Sequence, residues 1–266
     1  MLAEADHQAL ALRGEQLHAA GFRHAFFTRG GGVSAAPFAT LNFFSGSGDD
    51  PDAVAENYRR AAAHLDVPVE RLYVLSQVHG TDHHVLTGEE ARHDVIQWRG
   101  DVTVSGTTGV ACGVRTADCV AILVGDRASG AAAAIHSGWR GTADNAAGAG
   151  VAALRTLVGG DGDLVAAVGP HIERCCFEVG PEVAKTLALR SGLGDRVVDA
   201  SRTRPHVDLR AIVAHQLEAV GVHVEHVPGC TVCDSRRFHS YRRDGRVSGR
   251  MLAAIVVKGA EPSTPR

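Results

Sequence analysis

Apolar residues recur along this chain with two periods. Two short apolar runs, 120–124 and 131–135, flank a polar turn at 126–130, the pattern of an antiparallel hairpin. Further compact or alternating apolar runs at 22–28, 72–78, 101–104, 164–168, 222–227 and 251–257 predict additional strands. Helical spacing appears at 49–65, where Pro51 occupies an N1-like position and Val54, Tyr58 and Leu65 share a face. It recurs in the alanine-rich stretch after Gly141, which offers Asp144 and Asn145 as caps and closes at Gly159-Gly160. Two more amphipathic helices are predicted at 181–189 and 207–220.

Strands outnumber helices by roughly nine to five and do not alternate strictly with them, so the pattern favours α+β over a doubly wound sheet. We expect a single domain of mixed β-sheets flanked by helices at 21–258, preceded by an arm or helix at 1–20 and followed by a tail at 259–266. Apolar residues make up 45% of the chain but aromatics only 5%, which implies a core layered from small and branched side chains.

The formal net charge of −3 argues against a dedicated nucleic-acid or anionic-membrane binder. No apolar run approaches the ~18 residues of a membrane span, and the N-terminus has no cationic segment leading into an apolar core. A cytoplasmic protein is the expectation, with Cys112, Cys119, Cys175, Cys176, Cys230 and Cys233 as free thiols or ligands.

Chemistry concentrates around the hairpin. Cys119 and His136, 17 positions apart, stand at the ends of its two strands, and His79 ends the 72–78 run just before Gly80. Three donors of this kind suit an open zinc site with a vacancy for water or substrate. The same proximity suits a Cys119 nucleophile with His136 as base, oriented by Asp118 or a carbonyl. Packed core side chains are the third reading. A dyad needs a free thiolate and a metal occupies it, so the first two predict opposite metal dependence. Cys230-x-x-Cys233 reads as a ligand pair, a redox pair or a turn with two buried thiols. His83 and His84 fall on opposite strand faces, so at most one can join His79.

Three places could bind an anion. The loop TRGGGVS at 28–34 combines permissive glycines with Arg29, and Arg140 lies beside Trp139 at the start of the alanine-rich helix, whose N-terminus adds free amides. The run 236–250 carries six arginines against one aspartate, as a phosphate clamp or a solvated loop would.

Taken together, TRGGGVS (28–34), LNF (41–43), QVHG (77–80), RTADC (115–119), HSGWRG (136–141), GPHIERCCFEVG (169–180), CTVC (230–233) and FHSYRRDG followed by GRM resemble the YfiH/YlmD-type laccase-domain, or polyphenol-oxidase-like, family, which includes relatives described as peptidoglycan editing factors. The blocks run in family order through about residues 22–257. The resemblance implies a fold like the cytotoxic necrotizing factor catalytic domain, and a zinc site whose ligands and catalytic residues are His79, Cys119 and His136. It further implies phosphorolysis of purine nucleosides (adenosine, inosine, guanosine, methylthioadenosine), with adenosine deamination as a second activity. The implied partners are a purine nucleoside and phosphate, for which Arg29, Asn42, Gln77 and Arg140 are the candidate contacts. Other members imply a zinc-dependent amidase that edits UDP-MurNAc-L-Ser, and a non-enzymatic metal-binding protein is the reading from a different class. Zinc fits better than copper, because multicopper oxidases need many histidines, typically in H-x-H pairs, and this chain has no H-x-H. Two blocks depart from the family: Ser137 stands where alanine is usual, and GDVTVS at 100–105 replaces a sequence close to ADALVT. The second departure bears on substrate preference.

Overall fold

The computed structural model describes residues 10–259, so the first nine residues of the expected arm and positions 260–266 of the expected tail lie outside the described residues. Two mixed sheets form the body. One runs in the order Ala11–Leu12, His24–Phe27, Met251–Val256, Ala111–Thr116, Leu72–Tyr73, and only the last pair is parallel. The other runs His223–His226, Leu164–Val168, Val120–Asp126, Ala132–Ser137, Val102–Ser105, His83–Val85, with a parallel pair at each edge and antiparallel pairs between. A further small ribbon pairs Val198–Asp199 with His206–Val207.

Strand alternation divides the side chains into three cores. Between the sheets, Cys112, Val114, Ala253 and Ile255 meet Leu123, Ala134, Val165 and Ala167. On the outer face of the five-stranded sheet, Leu252, Ala254 and Val256 pack against Val54, Tyr58 and Ala61 of the helix Pro51–His64. On the outer face of the six-stranded sheet, Ile122, Val124, Ile135 and Ala166 meet Val151 and Leu154 of the helix Ala146–Val158 and Ile212 and Leu217 of the helix Leu209–Ala219. The result is four layers, helix, sheet, sheet, helix, with period-2 strands apolar on both faces because both faces are covered. The alanine bias belongs to these layers: Ala132, Ala133 and Ala134 are all fully buried on one strand.

The expected hairpin forms, with Val120 opposite Ser137 and Ala121 opposite His136. The expected helix at 49–65 forms as Pro51–His64, capped by Asp50, whose side chain accepts the Asp52 N–H. Two expectations are corrected. Of the strand at 72–78, only Leu72–Tyr73 pairs within the first sheet; Ser76 instead bridges Arg99 alongside the second sheet, so the chain crosses between sheets at this point. The long helix does not leave directly from HSGWRG: a short helix, Trp139–Ala143, intervenes, and Asn145, at φ 61°, caps Ala146–Val158 by accepting the Gly148 N–H at 3.1 Å. The Asn145 side chain thus takes up one of the free amides at that N-terminus. Among the described residues, no helix is long and apolar enough to cross a membrane.

Candidate metal centre

Strand ends and one tight turn bring three donors together. His136 sits near the end of Ala132–Ser137, Cys119 immediately precedes Val120–Asp126, and His79 lies in the crossing segment at φ 62°. Their ligand atoms all fall within 4.8 Å of one another, and the His79 and His136 rings meet edge to face at 4.9 Å. A tetrahedral ion with bonds of about 2.0–2.3 Å would be bounded by ligands spaced at roughly 3.5 Å, so the three donors enclose a volume of the right size. His136 is buried, Cys119 half-buried and His79 exposed, so the trio opens outward on one side.

Asp101 organises the trio. Its Oδ1 lies 2.7 Å from His136 Nδ1, which leaves Nε2 for a metal, and its carboxylate accepts the backbone N–H groups of Val78, His79 and Gly80 at 2.7–3.2 Å. This is the carboxylate–histidine–metal arrangement that fixes ring orientation and basicity. The same contacts stabilise the left-handed backbone at His79, a conformation that persists only where several groups hold it. Asp101 is fully buried, and burial would raise its pKa; the His136 and Gly80 hydrogen bonds outweigh that and lower it.

Charge at the centre favours a cation. Burial pushes the Cys119 thiol up, but the charge and hydrogen bonds of His136 and His79 prevail and bring it down to about 6. Burial likewise opposes the His136 imidazolium, yet the Cys119 thiolate and Asp101 raise it to about 9. The thiolate, the form that ligates metals, is thus favoured at neutral pH, beside a position that already stabilises positive charge. This donor set fits a metal. It also contains the Cys119–His136 contact of the dyad reading, with Asp101 in the orienting place expected of Asp118; the convergence of His79 on the same point is the feature a metal site uses and a dyad does not require.

The donors line a cavity of about 590 Å³, within the range of small-molecule sites. Phe44, Trp139, Phe177 and Tyr241 supply aromatic surface to it, and Arg115, Arg242 and Arg250 supply charge. These guanidinium groups hydrogen-bond backbone carbonyls: Arg115 that of Leu75, Arg242 those of Cys176 and Glu178, Arg250 those of Ser248 and Gly249. Among the described residues none of the three forms an ion pair with a carboxylate. Their positive charge is left for whatever enters.

The other sequence candidates sit as follows. Gln77 lines the cavity, with its amide paired in both directions to the backbone of Arg115. Asn42 is fully buried; its Nδ2 donates to Asp49, and its Oδ1 accepts the Arg250 N–H at 2.7 Å, so it positions Arg250 from behind. Arg29 bonds the carbonyls of Ala39 and Ser235, and Arg140 stacks on Trp139 at 4.6 Å; neither lines the cavity. His83 and His84 stay apart from the trio, with His84 bonded to the Arg99 carbonyl and stacked near Trp98. Ser137 repays its departure from alanine by a 2.8 Å hydroxyl contact with Thr142. Of the segment 100–105, Asp101 reaches the candidate metal centre, and it is a position that the departure leaves as aspartate.

Sequence reading did not single out Asp101, Arg115, Arg242 or Arg250 individually. Asp101 was signalled by a lone acid opening an otherwise apolar strand, and Arg115 by a charge in the RTADC block beside Cys119; Arg242 and Arg250 lay within the arginine run.

Residues 23–258 match the family model described as "Multi-copper polyphenol oxidoreductase laccase". The chain is 38% identical over 241 residues to a purine nucleoside phosphorylase of Deinococcus radiodurans, covering 91% of each, and 35% identical to the purine nucleoside phosphorylase YfiH of Escherichia coli, covering 86% of this chain and 90% of that one. Among solved structures it resembles YlmD of Geobacillus stearothermophilus (TM-score 0.81, 33% identity, 88% of this chain and 91% of that one) and YfiH of Bacillus licheniformis (TM-score 0.86, 25% identity, 94% and 97%). With the family model matched over residues 23–258, and sequence relatives and solved structures matched over nearly the whole length, the chain belongs to the YfiH-type laccase-domain family.

Proposed function

We propose that this protein is a zinc-dependent purine nucleoside phosphorylase, with adenosine deamination as a second activity. The observation that carries the reading is a three-donor centre, His79, Cys119 and His136, opening onto a cavity that combines aromatic surface with three arginines lacking carboxylate partners. Phosphorolysis needs both: flat apolar surface for a purine and fixed positive charge for phosphate. The names of the Deinococcus and Escherichia relatives support the phosphorylase part of this assignment.

His79, Cys119 and His136 would hold the zinc, which when bound supplies a Lewis acid able to polarise an oxygen of phosphate or water. The chain's own residues do the rest. Arg250 and Arg242 bind the phosphate as forked donors and keep its oxygens directed at the ribose C1′. Phe44 and Tyr241, each within about 6 Å of the Arg250 guanidinium, present ring faces for base stacking. Gln77 locks the Arg115 backbone, and the Leu75 carbonyl, accepting from the Arg115 guanidinium at 2.9 Å, holds that side chain on the cavity wall. We place the anion contacts on these residues in preference to Arg29 and Arg140. The C1′–N9 bond breaks as an oxygen of hydrogen phosphate bonds C1′, and the proton which that phosphate gives up ends on the ring of the departing purine.

Incubation of the purified protein with inosine, with and without phosphate, tests the assignment. Hypoxanthine and ribose 1-phosphate released only when phosphate is present are the expected products. Free serine released from UDP-MurNAc-L-Ser, with no phosphorolysis, would reassign the site to amide hydrolysis.

A further inference from the structure

Four cysteines outside the centre converge on a second point. The strands Leu164–Val168 and His223–His226 run parallel, with Val168 beside His226, so the loops leaving them emerge side by side. Their pairing continues beyond the strands: His171 bridges Cys230, its N–H donating to the Gly229 carbonyl and its carbonyl accepting the Thr231 N–H. This brings the adjacent pair Cys175-Cys176 against Cys230-x-x-Cys233, although more than 50 positions separate the pairs in sequence. All four sulfurs lie within 4.8 Å of one another; Cys233 is 3.3 Å from Cys176 and 3.7 Å from Cys175.

These spacings identify the chemistry. A disulfide requires about 2.05 Å between sulfurs. Four thiolates around one zinc at about 2.3 Å are separated by roughly 3.8 Å, the edge of the tetrahedron. The turn is also formed for ligation. The Cys230 carbonyl accepts the Asp234 N–H at 3.1 Å, which closes the turn between the two cysteines. A dication held by four thiolates keeps two excess negative charges, and two guanidinium groups lie against the ligating residues: Arg202 bonds the Cys175 carbonyl at 3.1 Å and Arg242 the Cys176 carbonyl at 3.3 Å. The Cys-x-x-Cys turn is not a pair of buried thiols, since Cys233 is exposed; its partners are the adjacent cysteines, which sequence spacing alone does not connect to it.

We propose that Cys175, Cys176, Cys230 and Cys233 bind one zinc ion as a closed, four-thiolate structural site, separate from the His79–Cys119–His136 centre. Tetrahedral sulfur coordination selects zinc among the common divalent ions. The site staples two loops that both reach the cavity, one contributing Ile172 and Phe177 and the other Tyr241 and Arg242. A zinc lost here loosens those loops without removing any donor from the open centre.

Metal analysis of the full chain, purified reduced from zinc-supplemented culture, tests the proposal independently of any activity. Wild type should carry about two zinc ions per chain, and Cys119→Ser and the double variant Cys230→Ser/Cys233→Ser about one each. Cobalt exchange guards against misfolding of the double variant: in Cys119→Ser, where every thiolate of the open centre is gone, an intense thiolate-to-cobalt charge-transfer band should persist. The proposal is overturned if Cys119→Ser binds no metal and shows no such band, if the double variant holds as much zinc as wild type, or if the native mass shows the four cysteines paired as disulfides. None of these results depends on phosphorolysis.

Discussion

The carboxylate of Asp101 holds both histidines of the candidate metal centre by different means: it bonds the His136 ring at 2.7 Å and the His79 backbone N–H at 2.9 Å. One buried acid therefore sets the tautomer of one ligand and the main-chain conformation of another. Asp101→Asn retains the shape but exchanges one acceptor oxygen for an amide that meets N–H groups. Metal affinity should fall by about 10–100-fold, the usual cost of losing an outer-shell carboxylate. Competition against a chelating dye measures it. Unchanged affinity would show that the His136 ring is held by its packing alone.

Among the described residues Arg250 makes no ion pair with a carboxylate, and its backbone is fixed by Asn42 while its guanidinium faces the Phe44 and Tyr241 rings. Burial lowers its pKa, opposed by the charges of Cys119 and Asp118, but an arginine remains charged at any physiological pH. Arg250→Ala should raise the phosphate KM by about 10–100-fold, as expected for a lost charged hydrogen bond, with the inosine KM and zinc content little altered. A rise confined to inosine would move Arg250 from the anion to the base.

The fold was largely legible because burial follows residue period. Leu72 and Val74 join the outer core of the five-stranded sheet while Tyr73 and Leu75 join the core between the sheets, so alternation continues through 72–75. The pairing does not: it stops at Tyr73, and Ser76 then bridges Arg99. Alternation reports which face is covered, and says nothing about which strand supplies the hydrogen bonds. The hairpin that carries Cys119 and His136 was readable because its pairing is local. Arg242 and Arg250 were not readable as individual contacts, since the loop that returns them to the cavity is positioned by Asp118, whose carboxylate bonds Thr231 and the Arg242 N–H at 2.6 Å each. Those contacts span more than 110 positions.

His239 predicts an acid limit on stability. It is buried, its Nε2 has no hydrogen-bond partner among the described residues, and burial together with the Arg29 charge pushes its pKa down to about 3. Its value falls on folding from 6.5 to about 3, so the folded chain binds fewer protons than the unfolded chain in that window. The contribution is complete above pH 6.5 and is lost as pH falls toward 3, with a limiting slope of about 1.4 kcal/mol per pH unit. Urea midpoints of wild type and His239→Gln at pH 7.5, 6.0 and 4.5 test this: wild type should lose stability more steeply, and parallel profiles would exclude His239 as the cause.

Gly138 separates the metal centre from the fold. It is the N-cap of the helix Trp139–Ala143 at φ −72° and ψ 174°, a conformation open to any residue, so no backbone strain requires glycine there. Space does. A Cβ at this position would lie 2.5 Å from His79 Nδ1 and 3.1 Å from Cys119 Sγ, inside contact distance of two of the three donors. The His79 side chain is exposed and can swing away; Cys119, fixed at a strand start, cannot. Gly138→Ala should therefore expel the His79 ring and reduce metal retention at the open centre, while the sheets and the four-cysteine cluster persist. Dialysis against a chelator followed by zinc analysis, read beside the thermal midpoint, distinguishes the outcomes. Metal lost from one site with a midpoint within a few degrees of wild type fits the steric account. Full retention of zinc would show that the centre can widen around the added methyl, and a collapse of the midpoint would assign Gly138 to the core.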